Sequence, residues 1–187
     1  MFAGHLDLKA PLVWTVDDAL STVDCDAYIA RIEKTHDAEV APIVGHDGQP
    51  EVDVAVRNNT RVMWDDESEA NALLARVAKS VPPELLGMKL AGANPRLRLY
   101  RYASGQKHGA HWDTVVELAD GVKSLLTLVF YLNDGFEGGE TEFPELEKNV
   151  VPSKGRALLF QHRILHEATP VRAGVKYVLR TDVLYRP

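Results

Sequence analysis

The second half of the chain alternates short strand-like segments with glycine-rich turns, and this constrains the fold most. From Asn94 onward, Leu97 and Leu99 alternate with Tyr100 and Tyr102, and Ser104-Gly105 marks a turn. The segments LLTLVFYL, GRALLF and VKYVLRTDVLY follow, with the turn-rich NDGFEGGET between the first two. Several short strands separated in this way are typical of a double-stranded β-helix, the jelly-roll barrel.

The first third of the chain reads as helical. Ser21 followed by Asp24 resembles a capping box, and the apolar residues from Cys25 to Ile32 recur at helical spacing. A second helix is predicted from about Asp66 to Lys79, since its first turn is acidic and suits the positive end of a helix dipole. We therefore expect an α+β, mainly β fold, with a jelly-roll core and N-terminal helices packed outside.

Length and composition favour a single soluble domain over residues 1–187. We expect residues 1–93 to form the helical support, with a lid loop at 38–52, and residues 94–187 to form the jelly-roll catalytic core. Hydrophobic residues make up 45% of the chain and charged residues 26%, which is ordinary for a globular protein. The longest apolar run, 125–132, is too short to cross a membrane.

The net charge and the cysteine content restrict the classes of binding partner and the cellular compartment that we expect. The formal net charge of −6 argues against a nucleic-acid partner, because phosphate binding favours clustered Lys and Arg. Cys25 is the only cysteine, so no internal disulfide forms, and the N-terminus lacks the pattern of a signal peptide. We expect a cytoplasmic protein with neither a membrane nor a nucleic-acid partner; its oligomeric state stays open.

The tripeptide His111-Trp112-Asp113, together with His166, is the candidate metal site. Period-two alternation places His111 and Asp113 on one side of a strand and turns Trp112 away towards packing. Two imidazoles and one carboxylate form the facial triad of non-haem iron oxygenases. The alternative is that the histidines are unrelated, because the chain has seven of them.

The other histidines are weaker candidates for a metal site. His36, His46 and His108 have no partner at a useful spacing and are expected at the surface. His162 lies four residues before His166, but no acidic residue stands between them and the segment begins like a strand. A structural or supporting role is therefore expected for His162.

The neighbourhood of the tripeptide resembles the prolyl 4-hydroxylase-like branch of the Fe(II)/2-oxoglutarate-dependent dioxygenases, of the bacterial type. The resemblance runs through RYASGQKHGAHWD, TLVFYLNDGFEGGETEFP, GRALLF and HEATPVRAGVKYVLRTDVLY, which together span roughly 94–185. RNNTR, before the second predicted helix, also resembles the upstream part of bacterial members.

The resemblance implies an iron(II) ion bound by His111, Asp113 and His166, with 2-oxoglutarate and O2 as co-substrates and L-ascorbate as a possible reductant. It places the cation for the far carboxylate of 2-oxoglutarate at Lys176, and strand alternation makes Arg180 a second candidate. It also assigns the co-substrate pocket two polar residues, Tyr102 and Thr127. Gly138 and Gly139 are expected to serve a tight turn.

The implied activity is hydroxylation of an unactivated C–H bond with release of succinate and CO2. The retained carboxylate at Asp113 favours hydroxylation, because halogenating relatives have a small residue there. The substrate would be a prolyl residue in a peptide or protein, a free amino acid or another small molecule. Ser124, where many relatives carry arginine, leaves the substrate open. Candidate substrate contacts are Arg98, Tyr100, Arg180, Arg57, Arg61 and the 38–52 loop.

Two alternatives remain from the sequence. One is an oxidative demethylase of nucleic acid, which the acidity of the chain disfavours. The other is a non-catalytic jelly-roll metal-binding module, which the joint presence of the triad, Lys176 and Tyr102 disfavours.

Overall fold

Strands dominate the computed structural model, which describes residues 6–35, 38–44 and 49–187. The helices are α1 (Thr22–Glu33) and α2 (Glu67–Val77), and single 3₁₀ turns lie at Ala78–Ser80, Ala119–Gly121 and Pro144–Leu146. The strands are β1 (Val13–Val16), β2 (Glu39–Val40), β3 (Ile43–Val44), β4 (Pro50–Glu51), β5 (Thr60–Asp65), β6 (Glu84–Leu85), β7 (Met88–Ala93), β8 (Arg96–Tyr102), β9 (His108–His111), β10 (Lys123–Tyr131), β11 (Glu137–Gly138), β12 (Thr141–Phe143), β13 (Lys148–Val150), β14 (Ala157–Gln161), β15 (His166–Ala168), β16 (Val171–Ala173) and β17 (Lys176–Arg186).

Two antiparallel sheets build the jelly roll. The major sheet has the order β1-β14-β10-β17-β8-β5-β2, with β7 joined to β17 and β6 to β7. The minor sheet has the order β13-β12-β15-β9. The long strand β17 pairs with β10, β8 and β7, so it holds the centre of the major sheet. The predicted jelly-roll fold with outer helices is confirmed.

Strand alternation divides the core into two apolar clusters. Leu97 and Leu99 of β8 are fully buried in a cluster that also contains residues of both helices. Tyr100 and Tyr102 point to the opposite face, where they join side chains of the minor sheet such as Phe143. Each fully buried side chain of this size contributes roughly 1.5–3 kcal/mol of transfer free energy. The predicted alternation of β8 is confirmed, and its inward face leads into the space between the sheets.

Both helices begin at the residues that the capping signals predict. The Ser21 hydroxyl accepts a hydrogen bond from the Asp24 amide (3.1 Å) and donates one to the Asp24 carboxylate (2.8 Å). Asp66 caps α2 by accepting from the Glu69 amide at 2.8 Å. The second helix ends at Val77 and tightens into a 3₁₀ turn, slightly earlier than predicted.

The boundary expected at Asn94 does not separate the sheet from its support. Strands β1, β5 and β7 all precede it, and all three belong to the major sheet. β5 runs antiparallel to β8 from Thr60↔Arg101 to Asp65↔Arg96. The expectation was wrong because β1, β5 and β7 join the major sheet by pairing with the later strands β14, β8 and β17. Their own sequences do not show this long-range pairing. The extent of the domain, 1–187, stays a prediction.

The segment expected to act as a lid contains three two-residue strands, β2, β3 and β4. β2 extends the major sheet at β5, while β3 and β4 pair with each other. Residues 45–48 of this segment lie outside the described residues, so its role as a lid stays a prediction. None of the helices that the structure describes has the length and apolar character needed to span a membrane.

Candidate metal centre

One strand pair of the minor sheet brings the predicted triad together. His111 ends β9 and His166 begins β15, and the two residues are direct cross-strand partners. Asp113 follows two residues after the end of β9. The candidate ligand atoms of these three residues all lie within 4.8 Å of one another. The sheet therefore gathers two imidazoles and one carboxylate, as the spacing predicts.

Both imidazoles are oriented by the backbone. Nδ1 of His111 donates to the Gly109 carbonyl oxygen at 2.8 Å, and Nδ1 of His166 donates to the Ile164 carbonyl oxygen at 2.9 Å. This arrangement leaves Nε2 of each ring as the atom with a free lone pair. Nε2 of His111 is buried and has no hydrogen-bond partner among the residues that the structure describes. A buried nitrogen without a partner is costly, and a metal ion would satisfy it.

The carboxylate of Asp113 is fixed from both sides. Thr127 Oγ1 donates to Oδ2 at 2.5 Å, and Arg180 Nη2 lies 2.8 Å from Oδ1. Burial raises the pKa of Asp113, but the adjacent Arg180 guanidinium holds it well below its usual range. Burial also lowers the pKa of His111 to about 3. The cluster therefore consists of neutral imidazoles and an ionised carboxylate, the protonation states that metal binding requires.

The expectations for His108 and Trp112 can be checked against this geometry. His108 was expected at the surface, but it is buried and its ring lies 3.5 Å from that of His111. The expectation was wrong because the two histidines stack on each other along β9. Trp112 was expected in packing, but it is 54% exposed and lines the outer cavity described below. His36 and His46 lie outside the described residues.

His162 is fully buried close to the cluster. Its Nε2 lies 3.9 Å from Asp182 Oδ1, and neither ring nitrogen has a hydrogen-bond partner in the described ranges of the chain. Asp182 accepts hydrogen bonds from Arg98 (3.1 Å), Arg180 (3.2 Å) and Asn94 (3.3 Å). Sequence reasoning missed Asp182 and Asn94; the only signal for Asp182 was its position two residues after Arg180.

Lys176 lies at the base of an inner pocket that it shares with His111, Thr127 and His166. It is 2% exposed, and its Nζ donates to the Gly139 carbonyl oxygen at 2.6 Å. The same atom lies 5.2 Å from the centroid of the Tyr102 ring. Within residues 6–35, 38–44 and 49–187, Lys176 forms no ion pair with a carboxylate. Burial lowers its pKa to about 7, with a small opposing effect from Glu140.

The predicted glycine turn supports this pocket. Gly138 and Gly139 have φ angles of +76° and +67°, which only glycine adopts readily. A Cβ atom at Gly139 would lie 3.1 Å from the Lys176 side chain. The turn is confirmed, and it presents the Gly139 carbonyl to the lysine.

Arg180 lies at the metal end of the inner pocket. It is four residues from Lys176 on the same face of β17, as alternation predicts, but its guanidinium pairs with Asp113 and Asp182. Lys176, by contrast, has no acidic partner in the described part of the chain. The geometry thus favours Lys176 over Arg180 for a distant carboxylate of a bound co-substrate.

An outer cavity of about 470 Å³ opens beside the cluster. The five residues predicted as substrate contacts all line it: Arg57, Arg61, Arg98, Tyr100 and Arg180. Pro42, Ile43 and Pro50 of the 38–52 segment close one side. The structure places these residues together, while their role in substrate binding stays a prediction.

Residues 97–181 match the family model described as the 2OG-Fe(II) oxygenase superfamily. A putative prolyl 4-hydroxylase of Acanthamoeba polyphaga mimivirus is 29% identical over 100 residues, covering 44% of this chain and 41% of that protein. Prolyl 4-hydroxylase 2 of Arabidopsis thaliana is 34% identical over 114 residues, covering 43% of this chain and 38% of that protein. The matched part thus spans about two fifths of these curated relatives.

Solved structures share the fold at low sequence identity. A Pseudomonas putida prolyl-4-hydroxylase superposes with a TM-score of 0.68 at 17% identity, covering 100% of both chains. A viral collagen prolyl hydroxylase from Paramecium Bursaria Chlorella virus-1, in complex with 2OG, gives 0.64 at 20% identity and covers 94% of this chain and 97% of that one. A Trichoplax adhaerens prolyl hydroxylase in complex with a hypoxia inducible factor peptide fragment gives 0.68 at 16% identity, covering 94% and 84%.

Proposed function

We propose that this chain, which matches the 2OG-Fe(II) oxygenase superfamily model over residues 97–181 and is similar to prolyl 4-hydroxylases, hydroxylates an unactivated C–H bond of an organic substrate. The reaction converts C–H, O2 and 2-oxoglutarate into C–OH, succinate and CO2. One oxygen atom of O2 enters the substrate and the other enters succinate. O2 is reduced, while 2-oxoglutarate and the substrate carbon are oxidised.

One observation carries the proposal: a single pocket combines a His-Asp-His cluster with a buried, unpaired lysine. The cluster leaves the His111 Nε2 atom without a partner, and Lys176 has no carboxylate partner in the described residues. Iron(II) would satisfy the first group, and the far carboxylate of 2-oxoglutarate would satisfy the second. In a purely structural site we would expect both the ring nitrogen to have a hydrogen-bond partner and the lysine to have a counter-charge within the protein.

The roles of the chain's own residues follow from this arrangement. His111, Asp113 and His166 would hold iron(II), which, with 2-oxoglutarate bound, supplies the O2 activation needed to break the C–H bond. Thr127 and Arg180 fix the direction of the Asp113 carboxylate. Lys176 would bind the far carboxylate of 2-oxoglutarate, with the Tyr102 hydroxyl as a second contact. The apolar walls of the pocket exclude water.

The substrate in this proposal is a prolyl residue in a peptide or protein, or a free amino acid or similar small molecule. The Trichoplax adhaerens relative, which was solved with a bound peptide fragment, supports the peptidyl option. The proposal also includes L-ascorbate as a reductant that sustains turnover, and a cytoplasmic location.

The test is succinate formation from 2-oxoglutarate by the purified chain with Fe(II), with and without candidate substrates. We expect Fe(II)-dependent succinate, and its loss in Asp113→Ala. Asp134→Ala, which removes an exposed carboxylate, is the matched control and should retain activity. Absence of any turnover, coupled or uncoupled, in the wild-type protein would refute the proposed function.

Lys176→Met separates co-substrate binding from iron binding. Loss of a charge-assisted interaction worth about 1.5–3 kcal/mol should raise the 2-oxoglutarate concentration needed by roughly 10- to 100-fold. Metal affinity should stay at the wild-type level, because Lys176 does not touch the triad. An unchanged 2-oxoglutarate requirement would remove Lys176 from the co-substrate site.

A further inference from the structure

The outer cavity holds more positive charge than its own carboxylates balance. Four arginines line it, together with the carboxylates of Asp113 and Asp182. Arg61 pairs with Glu39 at 2.7 Å, and Arg98 pairs with Asp182 at 3.1 Å. Arg180 is shared between Asp113 and Asp182. Three of the four arginines thus have a carboxylate partner.

Arg57 is the exception. It is 7% exposed, and its Nε donates to the Asn59 side-chain oxygen at 2.9 Å. Its Nη1 donates to the Pro42 carbonyl oxygen at 3.2 Å. Arg57 also forms side-chain hydrogen bonds with the hydroxyls of Tyr100 and Tyr102, so all these partners are uncharged groups, and no ion pair involves Arg57 within the described ranges of the chain. A buried charge without a counter-charge is strongly unfavourable, so its retention points to a ligand that supplies the charge.

The guanidinium of Arg57 is held rigidly at the junction of the two cavities. It lines both of them, and its Cζ lies 4.9 Å from the centroid of the Tyr100 ring. The backbone of Arg57 forms a bridge with His108, next to the triad. Burial raises the pKa of the Tyr100 hydroxyl, but neighbouring arginines, Arg57 foremost, lower it below its ordinary value. The junction therefore has a positive electrostatic potential.

The anion that Arg57 would bind is a different group from the far carboxylate of 2-oxoglutarate. Lys176, at the base of the inner pocket, serves that carboxylate in the proposed function. Arg57 is a second buried cation that forms no ion pair with the residues that the structure describes, and because it lines the outer cavity as well as the inner pocket it points to a second anion. The Nε donor and one Nη1 donor of Arg57 are used by Asn59 and Pro42, so the remaining Nη donors can bind a single carboxylate.

We propose that the substrate of this chain carries a carboxylate close to the carbon that is hydroxylated, and that Arg57 binds that carboxylate. This inference rests on the proposed function and adds the chemical class of the substrate. The outer cavity, at about 470 Å³, has the size of small-molecule sites. The carboxylate belongs either to a free amino acid or to a peptide that inserts an acidic side chain or its C-terminus.

The test compares acids with their amides on the protein loaded with Fe(II) and 2-oxoglutarate. The panel contains free L-proline and other amino acids with their primary amides, and proline-containing peptides with free or amidated C-termini and with Asp or Asn side chains. Products one oxygen atom heavier are quantified by mass spectrometry. We expect each accepted carboxylate to exceed its amide by about tenfold or more, the value of one charge-assisted bond.

Variants of Arg57 test whether its guanidinium causes the preference for acid over amide. Arg57→Gln should lose most of the preference for acid over amide, and Arg57→Lys should keep part of it, because the charge remains. Arg96→Gln is the matched control: Arg96 is an exposed arginine paired with Asp65 outside the cavity, and its loss should leave the preference intact.

A binding measurement covers the case in which no member of the panel is turned over. Protein loaded with Mn(II) and 2-oxoglutarate without O2 is melted in the presence of acetate or L-proline, and of acetamide or L-prolinamide. Stabilisation by the carboxylates alone, lost in Arg57→Gln, supports the inference. Equal effects of acid and amide, in turnover or in melting, would overturn it.

The two proposals fail in different ways. Hydroxylation of neutral substrates, with no preference for a carboxylate, would leave the oxygenase activity standing and remove the role of Arg57. Failure of the chain to form succinate from 2-oxoglutarate at all would instead refute the proposed function.

Discussion

Lys176 is the residue whose charge state most directly links the structure to pH. Burial lowers its pKa to about 7, against an ordinary value of 10.5. The unfolded chain therefore binds more protons than the ligand-free folded protein between these two values, so the stability of the ligand-free protein rises with pH across this window. The groups that face Lys176 are the Gly139 carbonyl, the Tyr102 and Tyr131 rings and, more distantly, Glu140.

We expect the affinity for 2-oxoglutarate to fall as pH rises above about 7. The reason is that the far carboxylate binds only the protonated lysine, so the dissociation constant grows by up to roughly tenfold per pH unit. Calorimetric titration of Mn(II)-saturated protein between neutral and alkaline pH measures this slope. Lys176→Arg, which stays charged, should flatten the profile; a flat profile in the wild type would contradict the prediction.

Thr127 acts on the metal through Asp113. Its hydroxyl donates to Asp113 Oδ2, so Thr127→Val removes the bond while keeping the shape of the side chain. We expect metal affinity to fall by roughly 10- to 100-fold, as for other partners that orient metal ligands. Titration of the apo protein with Mn(II) or Co(II) measures the loss.

Thr181→Val is the control for Thr127→Val. Thr181 is a buried threonine of β17 whose hydroxyl donates to the Asn94 carbonyl oxygen, away from the triad. Its loss should lower stability without changing metal affinity. Equal metal affinities in all three proteins would show that Thr127 does not hold the ligand in place.

At the scale of elements, the two ends of the site come from different sheets. The β9–β15 pair of the minor sheet supplies the histidines, while β17 of the major sheet supplies Lys176 and Arg180. Positions 176, 180 and 182 share one face of β17, which is why one strand serves both the co-substrate end and the metal end of the pocket. The turn at Gly138-Gly139 connects the two sheets through the Gly139 carbonyl.

We expect Gly138→Ala to destabilise the protein far more than Gly135→Ala. Both glycines have positive φ angles, +76° and +78°, so each substitution costs roughly 1–2 kcal/mol of backbone strain. A Cβ at Gly138 would also overlap the Pro170 carbonyl oxygen, whereas one at Gly135 meets nothing within 4 Å. Urea unfolding midpoints of the two variants measure the difference. Equal midpoints would mean that the turn at Gly138 moves to accommodate the Cβ atom without additional loss of stability.

At the scale of the whole molecule, metal and co-substrate together would join the two sheets. Metal alone has its ligands on and just after the strands of the minor sheet, and 2-oxoglutarate would extend from the metal to Lys176 on the major sheet. Binding of both should therefore couple, and each should strengthen the other. The jelly roll keeps these sheets packed through the aromatic cluster of Tyr100, Tyr102, Phe143 and Phe160.

We expect the melting temperature to rise more with Mn(II) and 2-oxoglutarate together than the separate increases add up to. Each ligand at a hundredfold excess over its dissociation constant stabilises by about 2.7 kcal/mol, and coupling lowers that constant. Differential scanning calorimetry of the apo, singly and doubly loaded protein measures this. Lys176→Met should respond to Mn(II) as the wild type does, but it should gain much less from the same concentration of 2-oxoglutarate. Simple additivity in the wild type would contradict the coupling.

The sequence by itself determined the features that depend on local order. Strand period brings His111 and Asp113 to one side, capping residues start both helices at Ser21 and Asp66, and the glycine pair forces the turn. Strand alternation, helix caps and tight turns depend on interactions between residues that are close in the sequence, so the order of residues is enough to predict them. The order of the motifs also resembles that of the Fe(II)/2-oxoglutarate-dependent dioxygenases, and this resemblance led to the prediction of iron and 2-oxoglutarate.

Only the tertiary structure decided which charges lack partners. Arg57, Arg61, Arg98 and Arg180 are alike in the sequence, yet three of them pair with carboxylates, whereas Arg57 forms no ion pair with any residue in the described part of the chain. The burial of His108 and Asp182, and the recruitment of β1, β5 and β7 into the major sheet, likewise depend on cross-strand pairing between distant segments. Pair electrostatics and strand register depend on distances in space, and the order of residues along the chain does not fix those distances.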